Sequence, residues 1–189
     1  MVDTSILASD RLKMTTDILH IMIRATMKVK TVKKLINIPD DLVREMDVLA
    51  DGFYPTRSDF LSHATISFIR NRMNQNRLNF VTYQDQYRDD DLVEKIFEES
   101  ELGIRELKKE LLPKYVSKDV TPITLYITEK QLETILICFI TDYGELRNLQ
   151  EFVRLAAAYY VRELDQELEI LDLIDAERVK GVYEIDYRS

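Results

Sequence analysis

The feature that most constrains the fold of this 189-residue chain is a five-part pattern that occurs twice, at offsets of 89 to 92 positions. Each copy has a short β-branched run, a capped apolar stripe at helical spacing, a glycine turn, a second cap and a second stripe. Five signals repeated in one order predict two strand-helix-helix units. The second stripe contains Phe60, Leu61, Ala64, Thr65, Phe68 and Ile69 in the first copy, and 92 positions later Phe152, Val153, Ala156, Ala157, Tyr160 and Val161.

The first copy opens with a predicted strand over residues 32–38. Pro39 ends it, because proline cannot donate to a strand ladder. Asp40 and Asp41 follow, and their carboxylates suit the free amides and positive dipole at a helix start. Gly52 predicts the end of this helix. Its apolar stripe consists of Leu42, Met46 and Leu49.

A Thr-x-x-Asp cap made by Thr56 and Asp59 predicts the start of the next helix, which we expect to end within residues 72–76. The second copy repeats this plan with a strand over residues 123–127, but it has three more residues in its first helix and turn. Its signals are the cap Thr128 with Gln131, the stripe Leu132, Ile135, Leu136 and Phe139, the turn residue Gly144, and the cap Asn148 with Glu151.

An amphipathic helix is predicted between the copies, beginning at Asp89-Asp90-Asp91, broken near Gly103 and ended by Pro113. We read the triple Asp as matching the helix dipole and not as a metal site. A small terminal strand is predicted over residues 182–187. The expected fold is mainly α: two strand-helix-helix units joined by a helical linker. Its parts are an accessory segment (1–27), the first unit (28–77), the linker (78–118), the second unit (119–170) and a tail (171–189).

The two ends of the chain carry different charge. Residues 1–77 hold 12 Lys/Arg and 9 Asp/Glu, whereas residues 78–189 hold 14 and 25. A polyanion is therefore expected to meet the first half only. We expect no membrane span, because no apolar run is long enough. A single cysteine, Cys138, excludes an internal disulfide, so we expect a cytoplasmic protein with this thiol buried in an apolar run. Residues 1–26 fit either an accessory helix or an over-extended reading frame.

The first copy resembles the ribbon-helix-helix superfamily, which includes the Arc, MetJ and CopG-like repressors. The resemblance lies in an apolar strand end, in Pro-Asp-Asp-Leu opening one helix at Pro39, and in Thr-Arg-Ser-Asp opening the next at Thr56. It covers about 45 residues, and the copy over residues 121–166 is a looser match. The resemblance implies a prokaryotic transcription regulator, expected to be a repressor. Two paired strands would form a ribbon that reads bases in the major groove of double-stranded DNA.

Alternation assigns the faces of this expected ribbon. Ile36 and Ile38 point inward, while Lys34 is an unusual polar residue on the same side that snorkels at the ribbon end. The expected base-reading residues are Lys33, Leu35, Asn37, Thr124 and Tyr126. The expected phosphate contacts are Lys28, Lys30, Thr56, Arg57 and Ser58, at a basic arm and a helix N-terminus. The alternative for the outer face is a polar strand edge without function.

How the strands pair stays open at this point. An internal pseudo-dimer is favoured by tethering and by the apolar inner faces of both strands, whereas a homodimer of the first unit would concentrate its basic surface. The second strand lacks cations on its outer face, which favours a pairing role with weak DNA contact. The competing function is an antitoxin-like or other protein-interaction module whose acidic C-terminal half binds a partner. We expect no enzyme, cofactor or metal site, since His20 and His63 are far apart and no catalytic motif occurs.

Overall fold

The computed structural model describes the backbone of residues 30–50, 53–142 and 144–186 and the side chains of residues 30–49, 53–140 and 144–171. The chain divides into two parts, Met1–Thr31 and Val32–Ser189, and the elements that follow belong to the second part, except that the first strand begins at Thr31. The predicted accessory segment (1–27), Lys28 and Gly52 lie outside the described residues.

The described residues form a mainly α fold with two strands, each followed by helices. The first copy contains β1 (Thr31–Pro39), α1 (Asp40–Ala50) and α2 (Arg57–Tyr83). The linker contains α3 (Asp89–Leu111) and a 3-10 turn (Leu112–Lys114). The second copy contains β2 (Val120–Thr128), α4 (Glu129–Thr134) with a π-helical continuation (Ile135–Asp142), and α5 (Leu149–Asp186). None of the helices in these ranges is long and apolar enough to cross a membrane.

The two strands form one antiparallel, two-stranded sheet. The Asp40 amide donates to the Asp119 carbonyl at 3.1 Å, and the Asp40 carboxylate accepts from the Thr121 hydroxyl at 2.7 Å. The Asp41 carboxylate accepts from the amides of Leu42 and Ser117, each at 2.9 Å. The acids at the start of α1 therefore tie the end of β1 to the start of β2, in addition to matching the helix dipole.

The core lies beneath the sheet, where α2 and α5 pack together. Two edge-to-face aromatic pairs cross this contact: Phe60 with Tyr160 at 5.4 Å, and Phe68 with Phe152 at 5.5 Å between ring centroids. Phe60 is 92 positions before Phe152, and Phe68 is 92 positions before Tyr160, so the repeat maps each pair onto the other. The two helices are therefore related by an approximate two-fold axis. Each such pair contributes about 0.5–1.5 kcal/mol beyond its burial. The repeat seen in the sequence is thus a repeat in space.

The predicted caps and most predicted core positions are confirmed. The hydroxyl of Thr56 accepts from the Asp59 amide, and the Asn148 side chain accepts from the Glu151 amide. Thr128 and Gln131 form a complete capping box. Leu136 is an exception among the predicted core residues, because it is exposed in the π-helical segment. That segment lies in the part of the second copy that has three additional residues, and its wider turn changes which side chains face inward.

Three predicted boundaries are wrong. Helix α2 does not end within residues 72–76 but continues to Tyr83, because its polar side chains bond to neighbouring helices: Asn71 donates to Tyr159, and Asn76 accepts from Ser100. Helix α3 runs unbroken through Gly103. A Cβ there would lie 3.2 Å from the Arg72 guanidinium, so glycine provides space for packing.

The third boundary is the predicted strand at the C-terminus. Helix α5 continues to Asp186, so residues 182–186 are helical and the predicted strand is wrong. A strand without a neighbour leaves its backbone groups unpaired, whereas a continuing helix pairs each amide with the carbonyl four residues earlier. The β-branched and aromatic composition of this segment indicated strand propensity, but propensity is a weak signal without a partner strand.

Candidate nucleic-acid interface

The sheet has one apolar face and one exposed face, as alternation predicts. The buried face holds Ile36, Ile38, Ile123, Leu125 and Ile127, all within the core. On the opposite face Lys33, Leu35 and Asn37 are exposed on β1. On β2, Tyr126 is exposed and Thr124 is half-buried. The structure therefore brings all five predicted base-reading residues onto one surface of the ribbon.

Two features of this surface bear on what it can contact. Leu35, at the middle of β1, is 68% exposed and presents an apolar side chain between Lys33 and Asn37. The Lys33 ammonium lies 5.4 Å from the centre of the Tyr126 ring, so a residue of each strand meets across the ribbon. This cation–π contact holds the lysine over the sheet in a defined position.

Each strand of the ribbon is flanked by a helix of the other copy. The Tyr126 amide donates to the Ser62 hydroxyl on α2 at 3.0 Å, while the Arg154 guanidinium on α5 donates to the Asn37 carbonyl at 2.9 Å. Ser62 and Arg154 are 92 positions apart, and Asn37 and Tyr126 are 89 apart, so the two contacts occupy equivalent places. One flank of the ribbon therefore carries a cation where the other carries a hydroxyl.

Arg154 is a candidate site residue that the sequence analysis missed. The repeat equates it with Ser62, but no signal within one copy indicates that this helix position reaches the strand of the other copy. That information depends on how β1 and β2 pair. With Arg154, the second copy supplies a positive charge beside the ribbon although its own strand has none.

The start of α2 has the geometry of an anion site, but the arginine beside it is already paired with an acid. Helix geometry leaves the first amides, those of Arg57 and Ser58, without an intrahelical acceptor, while the Asp59 amide is taken by the cap at Thr56. The Arg57 guanidinium makes two hydrogen bonds to Asp47, at 2.6 and 2.7 Å. These hydrogen bonds raise the pKa of Arg57. Arg57 is therefore already paired with Asp47, and a phosphate would have to compete with that carboxylate.

Of the two lysines of the predicted basic arm, Lys30 is exposed and Lys28 lies outside the described residues. Lys34, next to Leu35 near the middle of β1, has inward parity but is exposed, as expected of a long side chain that snorkels. Among the residues that the structure describes, no group of three or more His, Cys, Asp or Glu side chains is arranged to hold a metal ion.

Comparison of the chain with protein-family models, with curated proteins and with solved structures gave no match.

Proposed function

We propose that this chain is a sequence-specific DNA-binding transcriptional regulator, acting as a repressor, whose β1–β2 ribbon enters the major groove. The observation that carries this proposal is the two-faced ribbon: one side is sealed in the core, and the other presents Lys33, Leu35 and Asn37. The major groove is about 12 Å wide and admits a two-stranded ribbon. The composition of the exposed face, a cation, an amide and an apolar side chain, suits base edges and thymine methyl groups.

Backbone contacts to DNA are proposed on both sides of this ribbon. Thr56, Arg57 and Ser58 would hold a phosphate at the start of α2, with Lys28 and Lys30 forming a basic arm. Arg154 would supply a further phosphate contact beside Asn37. Such contacts give affinity and register, while the ribbon gives sequence preference. The net charge of −8 opposes indiscriminate coating of nucleic acid and favours a confined interface.

The proposal is tested by selecting binding sites from random DNA with the full chain, and then measuring substituted chains on the selected site. Lys33→Ala and Asn37→Ala should each weaken specific binding by about 1–3 kcal/mol, because each removes the hydrogen bonds to one base. Both side chains are exposed, so folding should be unchanged by circular dichroism. Lys34→Ala removes the same charge from the opposite parity of β1, and it should leave the sequence preference intact. Retained operator binding by both substituted chains would contradict the proposed reading face.

A further inference from the structure

An apolar groove lies between α5 and the turn that precedes α2, on a different part of the molecule from the ribbon. We call it the α5 groove. Its volume is about 340 Å³. Phe53 and Leu171 are more than half exposed there, and Leu168 is 38% exposed. Its main lining residues are Phe53, Tyr160, Leu164, Glu167, Leu168 and Leu171.

The internal repeat indicates what kind of element fits this groove. The 92-position shift relates Phe53 to Glu145, Leu164 to Arg72 and Leu168 to Asn76. These three equivalents, Glu145 before α5 and Arg72 and Asn76 on α2, are all covered by the linker helix α3. Arg105 bonds to Glu145, Gly103 lies against Arg72, and Ser100 bonds to Asn76. The amphipathic helix α3 thus fills the groove that is equivalent to the α5 groove, and its Ile104 is fully buried between these contacts.

No side chain among residues 30–49, 53–140 and 144–171 fills the α5 groove in the same way. The polar side chains at the base of the α5 groove, its polar floor, are hydrogen-bonded to one another. The Tyr54 hydroxyl is 2.8 Å from His63 Nδ1 and 2.5 Å from the Tyr160 hydroxyl. A floor that is fixed beforehand lowers the entropy cost of binding. The open apolar rim above it is the part that an added helix would cover.

The charged residues beside the two grooves indicate which side chains a helix in the α5 groove would need next to its apolar residues. In the filled groove, α3 brings Arg105 to Glu145 and Lys108 to Glu151, at 2.6 and 2.9 Å. The rim of the α5 groove holds the exposed carboxylate of Glu167. A matching helix therefore needs Lys or Arg beside its apolar stripe.

We propose that the α5 groove binds an amphipathic helix of a partner protein, with an apolar stripe and a basic flank in the pattern of α3. The proposal is independent of DNA binding, because the groove shares no residue with the ribbon face. In helix-in-groove binding an amphipathic helix lays apolar residues, spaced three and four positions apart, into an apolar groove. Leu164, Leu168 and Leu171 form the apolar stripe of α5 that such a helix would cover.

The test uses a fluorescent synthetic peptide with the sequence of residues 89–111 and the full-length chain. The peptide should bind, and a Leu168→Asp, Leu171→Asp double substitution should weaken binding about tenfold or more, because it places charge where apolar surface is covered. The matched control is Ile170→Asp, on an exposed residue of the same helix that does not line the groove; it should bind like the unsubstituted chain. A peptide carrying Arg105→Glu and Lys108→Glu should bind about twofold to fivefold more weakly.

All substituted chains should keep their circular dichroism and their affinity for the selected DNA site, which separates this proposal from the DNA-binding one. Two results would overturn it: no peptide binding to the full chain, or equal binding to the double-substituted chain. If removal of residues 1–29 restores binding after the first result, the N-terminal segment is the occupant in place of a partner.

Discussion

At the scale of single residues, the two arginines near the ribbon differ in how much of their charge they offer. Arg57 donates from Nε and Nη2, one edge of its guanidinium group, to the two carboxylate oxygens of Asp47, so a DNA phosphate would have to compete with that acid. Arg154 bonds to an uncharged carbonyl, that of Asn37, which leaves its net charge uncompensated by this contact. We therefore expect Arg154 to contribute more than Arg57 to the general attraction for DNA.

An Arg154→Gln substitution should weaken binding to all DNA sequences alike and should flatten the dependence of affinity on salt by about one unit of slope. The reason is that each phosphate neutralised by a cation releases one counterion. Affinity measured over a salt series checks this result. The control is Arg77→Gln, an equal change of charge on an exposed residue of α2 away from the ribbon, which should leave the slope nearly unchanged. A normal slope with altered base preference would instead make Arg154 a base-reading residue.

At the scale of elements, the ribbon is the piece on which both copies depend. Leu125 on β2 is fully buried, in the same cluster as Ile36 and Ile38 of β1. A Leu125→Asp substitution puts an unpaired carboxylate in this cluster, which costs several kcal/mol. It should therefore unfold both units and abolish DNA binding together, as measured by urea unfolding and DNA titration. Thr124→Asp, one residue away on the outer face, should keep the fold and weaken DNA binding only.

The isolated segment 27–77 distinguishes internal strand pairing from the homodimer alternative. If pairing within the chain is what stabilises β1, this segment alone should neither fold nor bind DNA. A segment that dimerises and binds by itself would instead support the pairing of two first copies, and Leu125→Asp would then spare DNA binding.

The packing of α3 predicts a dependence of stability on pH. The hydrogen bond from Arg105 lowers the pKa of Glu145. Burial raises the pKa of Glu151, but the bonds from the Arg147 amide and Lys108 outweigh it, so the net change is again a lowering. A lowered carboxyl pKa stabilises the fold above the unfolded-state value of about 4.3, and this contribution is lost as pH falls through the folded-state value.

The free energy of unfolding should therefore decrease below about pH 4.3, and Glu145→Gln should make that decrease shallower. Urea midpoints measured from pH 7 down to acid give the comparison. Glu98→Gln, which changes an exposed carboxylate on α3, the helix that Glu145 contacts, is the control and should leave the pH dependence as it is. An identical acid profile for the unsubstituted chain and Glu145→Gln would contradict the assignment.

The elements that sequence predicted well are those specified by neighbouring residues. The caps at Thr56, Thr128 and Asn148 bond to residues three positions away, and the strand faces follow from alternation alone. The extension of α2, the packing role of Gly103 and the position of Arg154 depend on residues that are distant in the sequence, in the case of Arg154 more than 100 positions away. Such contacts follow from how helices pack in space, which a pattern of apolar spacing does not contain.

At the scale of the whole molecule, the two flanks of the ribbon are unlike. One side presents Lys33 and Asn37 on β1 with Arg154 beside that strand, while the other presents Thr124 and Tyr126 on β2 with Ser62 beside it. We therefore expect one chain to occupy one DNA site and that site to have two different halves. Selection from random DNA should return a non-palindromic sequence, and the mass of the complex should correspond to a single chain. A palindromic site bound by two chains would contradict internal pairing in the DNA complex.

The pairing of β1 with β2 inside one polypeptide also affects how such a protein changes over generations. In a homodimer every mutation appears twice, so a substitution that suits one half of an operator is imposed on the other. Here each substitution occurs once, so under the proposed DNA binding each strand would be free to change with its own half of the site. The two strands do differ in this chain: the second has apolar residues on its buried face and carries no cation on the face turned outward.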